Sequence, residues 1–162
     1  MVRAKGFPAV VGRAPRVLIL GSLPGVASIR AGQYYGHPQN KFWELMGAVL
    51  RTDLRGLSYA RRLSTLKKRK IALWDVVADA ERPGSLDSDI ADERHNDVHD
   101  FAGWGSIKAV FFNGSTAFKI YRRRYGKTSS KPAVVLPSSS PANASVPMKV
   151  KRKAWLRIRR YL

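Results

Sequence analysis

The sequence predicts an α/β fold, a single-domain three-layer sandwich in which a four-stranded parallel sheet is flanked by helices. A length of 162 residues with 44% hydrophobic side chains suits one compact domain covering residues 1–162. Four short apolar runs lack the alternation of half-exposed strands, which is typical of strands buried on both faces. Helical patterns lie between these runs, and such alternation favours parallel strands joined by helices.

The four predicted strands are separated by amphipathic stretches. In chain order the strands are Val17–Leu20, Ile71–Trp74, Ile107–Phe112 and Ala133–Leu136. Apolar side chains at helical spacing predict a helix at Phe42–Leu50, and a weaker repeat from Tyr59 to Leu66 predicts another. Two more helices are predicted at Thr116–Arg124 and, strongly basic, at about 147–162. Since ligands of such folds bind at the carboxyl ends of the strands, the loops there form the candidate site.

The charge of the chain favours a polyanionic partner. Thirty Lys and Arg residues against 11 Asp and Glu give a formal net charge of +19, and phosphate neutralisation dominates nucleic-acid affinity. The alternatives are a basic surface without a ligand and attraction to an acidic membrane. Basic runs are ordinarily solvated faces, but at this charge we expect at least one of three to follow a nucleic-acid backbone: Arg61–Lys70, Arg122–Lys131 and Lys149–Arg160.

Several classes of site are disfavoured by composition. The chain has no cysteine, which excludes disulfides, thiolate metal sites and cysteine nucleophiles. Its three histidines are scattered and form no recognisable zinc ligand set. No apolar run approaches the roughly 20 residues that span a bilayer, and the first residues lack a signal-peptide pattern. We therefore expect a soluble, cytoplasmic monomer that uses no metal, no cofactor and no membrane.

The most informative stretch follows the first predicted strand. It reads Gly21-Ser22-Leu23-Pro24-Gly25 and continues after a short interval as Tyr34-Tyr35-Gly36-His37-Pro38-Gln39-Asn40-Lys41-Phe42-Trp43. The glycines and proline permit a tight turn whose N–H groups can face a ligand. Pro38 suits the first position of a helix, which would place Gln39 and Asn40 in its first turn, at the positive end of the helix dipole. The alternative is that Asn40 only starts the helix and the tyrosines belong to the core.

This order of motifs resembles the uracil-DNA glycosylase superfamily. The G-x-x-P-G turn and the following aromatic-small-His-Pro-x-Asn-x-Phe-Trp stretch look like the first site motif of the mismatch-specific uracil and thymine enzymes, and the longer form is closer still to the hypoxanthine (deoxyinosine) glycosylases. Later segments agree: Ala72–Val77 leading to Gly84–Ser88, Phe111–Gly114 leading to Ala117, and Leu136–Asn143. The resemblance runs from Arg16 to about Asn143 and implies a uracil-DNA glycosylase-like fold.

Two positions depart from the mismatch-specific uracil enzymes. Leu23 stands where those enzymes carry a water-positioning asparagine, and Leu136 stands where their second motif begins with a polar residue. Both differences fit the hypoxanthine branch, in which the asparagine matching Asn40 is implicated in catalysis. The resemblance therefore implies a glycosylase that removes a deaminated base, hypoxanthine first, rather than an ordinary uracil enzyme.

The implied reaction is hydrolysis of the N-glycosidic bond of a nucleotide flipped out of DNA, leaving an abasic site. No lysine of the motifs is placed to form a Schiff base, so no lyase step is expected. The alternatives are a uracil- or xanthine-DNA glycosylase and a non-catalytic nucleic-acid-binding module of the same fold. A Rossmann-like nucleotide-binding protein is disfavoured because G-x-G-x-x-G does not follow the first strand.

The implied catalytic group is Asn40. Water attacking an oxocarbenium-like sugar needs orientation more than a strong base, so an amide oxygen is sufficient. We expect the backbone N–H groups around Ser22 and Leu23 to bind the base and Tyr35 to stack on it, the alternative for Tyr35 being core packing.

Two further side chains are expected at the base. His37 is a candidate donor to the leaving base or to a phosphate, with a structural hydrogen bond as the alternative. Asp75 ends the second strand and is a candidate acceptor for a purine N–H, or alternatively a cap or an arginine partner.

The loop after the fourth strand is the expected wedge and clamp on DNA that contains a deaminated base. Its candidate contacts are Pro137, Ser138, Ser139, Ser140 and Asn143, since hydroxyls bind phosphate oxygens and neighbouring residues fill the gap left by a flipped nucleotide. An ordinary Ser-Pro turn is the alternative. The expected location is a prokaryotic cytoplasm, in association with the nucleoid.

Overall fold

The computed structural model describes residues 3–126 and 130–162, so residues 127–129 of the predicted basic run Arg122–Lys131 lie outside the described residues. The strands are β1 (Arg3–Lys5), β2 (Val17–Gly21), β3 (Ile71–Asp75), β4 (Val77–Glu81), β5 (Ala91–His95), β6 (Ala109–Asn113) and β7 (Ala133–Leu136). The helices are α1 (Val26–Ala31), α2 (Phe42–Leu50), α3 (Tyr59–Lys68), α4 (Ser115–Tyr125) and α5 (Met148–Trp155). Short 3-10 helices cover Asp87–Asp89, Val98–Asp100, Trp104–Ser106, Pro141–Asn143 and Leu156–Tyr161.

The predicted parallel sheet is confirmed. Its four strands run in the order β3-β2-β6-β7, and every neighbouring pair is parallel. All five residues of β2 and of β6 are buried, as the unbroken apolar runs indicate. The third strand begins at Ala109, two residues later than predicted, because Ile107 still closes the 3-10 helix Trp104–Ser106.

The two faces of the sheet carry separate cores. Val17 and Ile19 point into a cluster built with α2, α3, α5 and the C-terminal 3-10 helix, where Phe42 and Trp155 are fully buried. Leu18 and Leu20 point to the other face, where α4 packs together with residues of β4. Because successive side chains of β2 point to opposite faces of the sheet, this one strand contacts the layers packed on both faces.

A second sheet was not predicted. Its three antiparallel strands are ordered β1-β4-β5, and it covers part of the face that also carries α4. Their sequences are short and charged, so no apolar run identifies them. Side chains distant in the chain link them: Arg3 forms ion pairs with Asp79 at 2.6 Å and Asp92 at 2.8 Å.

Two helix predictions need correction. The basic C-terminal helix is α-helical only from Met148 to Trp155 and continues as a 3-10 helix to Tyr161. The interval between Gly25 and Tyr34, for which no helix was predicted, contains α1, which is capped by Gly32 in the left-handed conformation that glycine favours. Among the described residues, no helix is long and apolar enough to span a membrane.

Candidate active site

A cavity of about 870 Å³ opens at the carboxyl ends of the parallel strands, where the fold class places binding sites. It is bounded by the turn after β2, the segment before α2, residues 85–87 and the loop after β7. All eleven residues predicted for the site line this one cavity: Ser22, Leu23, Tyr35, His37, Asn40, Asp75, Pro137, Ser138, Ser139, Ser140 and Asn143.

The floor of the cavity is built around Gly21. This residue ends β2 and pairs in register with Asp75 at the end of β3. A β-carbon at Gly21 would lie 2.5 Å from Asp75 Oδ1 and 2.8 Å from the Tyr35 hydroxyl, so any other residue would displace one of them. Glycine therefore lets a carboxyl group and a phenol approach the same point of the backbone.

Asp75 is a buried carboxyl group with unused hydrogen-bonding capacity. The residue is 4% exposed, and its Oδ2 has no hydrogen-bond partner among the described residues. Burial, followed by repulsion from Asp87, raises the pKa of Asp75 to about 7 against the lowering effect of Arg82. A carboxyl group whose pKa is near 7 is partly protonated at neutral pH, and the protonated form can donate as well as accept a hydrogen bond. Asp75 can therefore pair with a ligand that presents both a donor and an acceptor inside the cavity.

The two adjacent tyrosines have different roles. Tyr34 is 3% exposed and belongs to the core, where its hydroxyl donates to the Pro8 carbonyl. Tyr35 lies in the cavity wall, with its ring stacked on Phe42 at a centroid distance of 4.0 Å. Its φ of 55° is strained for a bulky side chain, and such strain is concentrated at functional sites. Tyr34 is therefore a core residue, whereas the partly buried Tyr35 both packs against the core and lines the cavity.

Asn40 lies where the chain enters α2. The prediction that Pro38 starts this helix is wrong, since Pro38 and Gln39 form a turn and α2 begins at Phe42. Asn40 Oδ1 accepts a hydrogen bond of 3.0 Å from the Phe42 N–H, so the amide satisfies a donor at the helix start. An amide oxygen has two acceptor sites, so Oδ1 keeps one for a further ligand.

His37 is exposed at the mouth of the cavity. Its Nδ1 lies 3.0 Å from the Gln39 N–H and accepts from it. The neutral imidazole with this arrangement carries its proton on Nε2, which makes Nε2 the available donor. The local hydrogen bond thus fixes the tautomer and leaves the other nitrogen for a ligand.

Residues 82–89, here called the strap, cross the cavity wall beside the turn after β2. Ser22 Oγ donates to Asp87 Oδ1 at 2.5 Å, so the side chain of Ser22 holds the strap while its backbone N–H is the group predicted to bind the base. The Arg82 guanidinium donates to the Leu23 and Pro24 carbonyls. Leu23 itself is 7% exposed and adds an apolar surface to the cavity wall.

The loop after β7 is organised by its own side chains. Ser139 is fully buried, and its N–H and hydroxyl form a reciprocal pair with the Asn113 side chain at 2.9 and 2.8 Å. Ser138 Oγ accepts from the Ser140 N–H, and Asn143 donates to the Ser138 carbonyl. Ser139 therefore faces inward, while Ser138 and Ser140 are partly exposed at the cavity.

Two parts of the site had no predicted role. Asn113 ends β6 and holds the loop after β7 through Ser139. The sequence feature that could have identified it is a polar residue at the end of a buried strand. Asp87 lies in the segment Gly84–Ser88 that carries part of the resemblance, but no role was predicted for it or for Arg82, because their partners lie about sixty residues earlier in the chain. Within residues 3–126 and 130–162, no three or more His, Asp or Glu side chains are grouped to hold a metal ion.

Comparison with known proteins agrees with this architecture. Residues 8–160 match the family model of the uracil DNA glycosylase superfamily. The chain is 40% identical over 159 residues to a hypoxanthine DNA glycosylase of Methanosarcina barkeri, covering 95% of this chain and 96% of that protein. It is 42% identical over 145 residues to a hypoxanthine DNA glycosylase of Methanosarcina acetivorans, covering 86% and 87%.

A solved structure shows the same fold. The solution structure of a candidate uracil DNA glycosylase from Methanosarcina acetivorans superposes with a TM-score of 0.83 at 37% identity, covering 99% of both chains. The match extends beyond the motifs to the second sheet and the C-terminal helices, since nearly the whole chain is included. The chain belongs to the uracil DNA glycosylase superfamily.

Proposed function

We propose that this protein is a monofunctional DNA glycosylase that releases hypoxanthine from deoxyinosine and leaves an abasic site. The observation that carries the proposal is the presence of Asp75, with an unpartnered carboxyl oxygen, in the same cavity as Asn40 and Tyr35. The relatives that share most of this chain are named hypoxanthine DNA glycosylases, which supports the choice of base.

Asp75 is the proposed base reader. Hypoxanthine presents a carbonyl oxygen beside an N–H, and a neutral carboxyl group matches that edge with one donor and one acceptor. An ionised carboxylate would accept from the N–H but repel the carbonyl oxygen. The raised pKa of Asp75, caused mainly by burial, favours the matching neutral form up to about pH 7.

Tyr35 and the backbone around Ser22 and Leu23 are proposed to complete the base pocket. Phe42 supports one side of the Tyr35 ring, which fixes the ring's orientation in the cavity wall. A flipped base can then stack against aromatic and apolar surface, as flipped bases do in other enzymes. His37 Nε2 at the mouth is a candidate donor to the departing base or to a phosphate.

Asn40 is proposed to hold the attacking water. The second acceptor site of Oδ1 would receive a hydrogen bond from water, whose oxygen bonds to C1′ of the sugar as the C1′–N9 bond breaks. The bonding electrons leave with the base. One hydrogen of the water stays in the new C1′ hydroxyl, and the single proton that the water loses balances the one that the departing base takes up, directly or through solvent. The Leu23 side chain has no polar atom for this task.

The partly exposed hydroxyls of Ser138 and Ser140 are proposed to contact phosphate oxygens beside the flipped nucleotide, with Pro137 and Asn143 completing the clamp. Ser139 would act indirectly, by anchoring the loop to Asn113. We expect the protein to act as a monomer on DNA of a prokaryotic nucleoid. Because its net charge is +19, its DNA binding should weaken steeply as salt is added.

A panel of duplexes that each carry one deoxyinosine, deoxyuridine or deoxyxanthosine tests this proposal. After incubation with the protein, abasic sites are cleaved by alkali and the products are resolved by size. We expect strand breaks at deoxyinosine. Breaks chiefly at deoxyuridine would favour a uracil glycosylase, and salt-sensitive binding without breaks would favour a non-catalytic module.

A further inference from the structure

Large apolar side chains are exposed at the cavity. Among the described residues, four large hydrophobic side chains are exposed: Val26 at 36%, Val135 at 38%, Leu86 at 52% and Val150 at 53%. Three of them, Val26, Leu86 and Val135, line the cavity, and Val150 does not. Val26 and Leu86 lie on the side of α1 and the strap, and Val135 lies on β7. Exposed apolar surface around the cavity indicates a contact with an apolar partner there.

Leu86 is held in its exposed position from both sides. The preceding Ser85 accepts a hydrogen bond of 3.0 Å from the Val26 N–H through its hydroxyl. The following Asp87 accepts the 2.5 Å hydrogen bond from Ser22. Because both neighbours are tied to the turn after β2, Leu86 cannot turn inward to the core without breaking these contacts.

The opposite rim offers apolar side chains that are smaller and less exposed than Leu86, namely Val135 at 38% and the half-buried Val146. The loop after β7 presents serines, Pro141, Ala142 and Asn143 at the cavity, and Ala142, its exposed apolar residue, is small. Hydroxyl groups suit phosphate contacts, whereas the space left in a base stack is filled by a bulky apolar group. Among the large apolar side chains exposed at the cavity, Leu86 of the strap is therefore the largest and the most exposed, whereas the loop after β7 presents mainly hydroxyl groups.

We propose that Leu86 is the wedge that enters the DNA base stack when the damaged nucleotide moves into the cavity. This inference rests on the proposed glycosylase function and reassigns the wedge from the loop after β7 to the strap. Unpairing and unstacking a nucleotide costs free energy in duplex DNA, and an inserted leucine offsets part of that cost by occupying the gap. A single strand has no such gap to fill.

The test compares Leu86→Ala with wild type on one deoxyinosine oligonucleotide, as a duplex and as a single strand, under single-turnover conditions. We expect the duplex rate to fall about tenfold or more, since truncation removes most of the buried apolar surface, and the single-strand rate to change less than about twofold. Leu86→Met should restore the duplex rate. Val150→Ala, an equally exposed apolar position away from the cavity, should leave both rates unchanged.

A second measurement reports the step itself. With 2-aminopurine placed next to deoxyinosine in the duplex, wild-type protein should raise the fluorescence by unstacking the neighbour, and Leu86→Ala should raise it much less. Two outcomes would overturn the wedge alone. In the first, Leu86→Ala and wild type cleave the duplex at equal rates; in the second, Leu86→Ala loses the same factor in rate on the duplex and on the single strand. In either case the two proteins would give the same rise in 2-aminopurine fluorescence. Wild-type protein that releases no hypoxanthine from either form would refute the proposed function and the wedge with it.

Discussion

Gly21 and Asp75 occupy the last paired position of β2 and β3, and a β-carbon at Gly21 would lie 2.5 Å from Asp75 Oδ1. The Tyr35 hydroxyl also borders this space, because it would lie 2.8 Å from the same β-carbon. The absence of a side chain at one residue thus determines where the proposed base reader and the proposed stacking ring lie. This relationship links a single glycine to the chemistry of the cavity.

Gly21→Ala is expected to disrupt the site. The added methyl group must displace the short, buried Asp75 side chain, an overpacking that costs about 1–3 kcal/mol of unfolding free energy. The rate of excision should fall at least about tenfold, because displacing a group that binds the substrate by about 1 Å reduces the rate by that factor or more. Urea unfolding and single-turnover rates measure both effects. Gly105→Ala is the matched control, because a β-carbon there meets nothing within 4 Å, and an equal effect of the two substitutions would contradict this explanation.

Asp75 predicts a specific dependence of stability on pH. Its ordinary pKa of 3.8 applies to the unfolded chain, and burial raises the folded value to about 7. Between roughly pH 4 and 7 the folded state holds a proton that the unfolded state has lost, so the Asp75 contribution to stability falls as pH rises.

Comparison of wild type with Asp75→Asn isolates this contribution from those of other groups. From pH 4.5 to pH 8 the asparagine variant should gain unfolding free energy relative to wild type, on the order of 4 kcal/mol at most. Urea unfolding at a series of pH values measures the difference. A difference that is constant across the range would show that Asp75 is ionised in the folded protein.

Asn40 has an observed structural role at the start of α2 and a proposed role in positioning water, and substitutions can separate the two. Asn40→Ala removes the acceptor for the Phe42 N–H and should cost about 1 kcal/mol of stability, as loss of a helix cap does. Asn40→Ser keeps a side-chain oxygen near the helix start and should be closer to wild type in stability. Both variants should lose excision by about a hundredfold, because neither orients the water as the amide does. Full activity of the serine variant would remove Asn40 from the water-positioning role.

Ser139→Ala is expected to loosen the loop after β7. The substitution leaves the buried Asn113 amide without its 2.8 Å partner, and an unsatisfied buried group costs about 1–3 kcal/mol. Excision from duplex DNA should fall with the loss of loop order. Ser145→Ala, an exposed serine that follows the same loop, should change stability by less than about 0.5 kcal/mol. Thermal unfolding of the two variants compares them directly.

The central sheet could be predicted because its strands are continuous apolar runs, a local property of the sequence. The second sheet could not, because β4 and β5 are stabilised by distant partners such as Arg3 and contain few apolar residues. Likewise, the loops that form the site follow from their places after β2 and β7. The inward direction of Ser139 depends on Asn113, 26 residues earlier, and no local pattern reports it.

The start of α2 shows the same limit at short range. Pro38 is suited to the first turn of a helix, yet the chain forms a separate turn over His37–Asn40, closed by the Asn40 N–H to His37 carbonyl bond of 2.9 Å. The Lys41 N–H is taken by the Ser139 carbonyl at 3.0 Å, which ties the two site loops together. The preference of proline for the first turn placed the start of the helix at Pro38, four residues before the observed start at Phe42. The observed start is accompanied by a contact between the loop before α2 and the loop after β7.

The most direct measurement of the central claim is the identity of the released product. Wild-type protein is incubated with a duplex that carries one deoxyinosine, and free base is quantified by chromatography alongside abasic sites, with and without alkali. We predict free hypoxanthine and abasic sites in equal amounts, with strands that remain intact until alkali is added. Absence of free hypoxanthine, or strand breaks that form without alkali, would contradict a monofunctional hypoxanthine-DNA glycosylase.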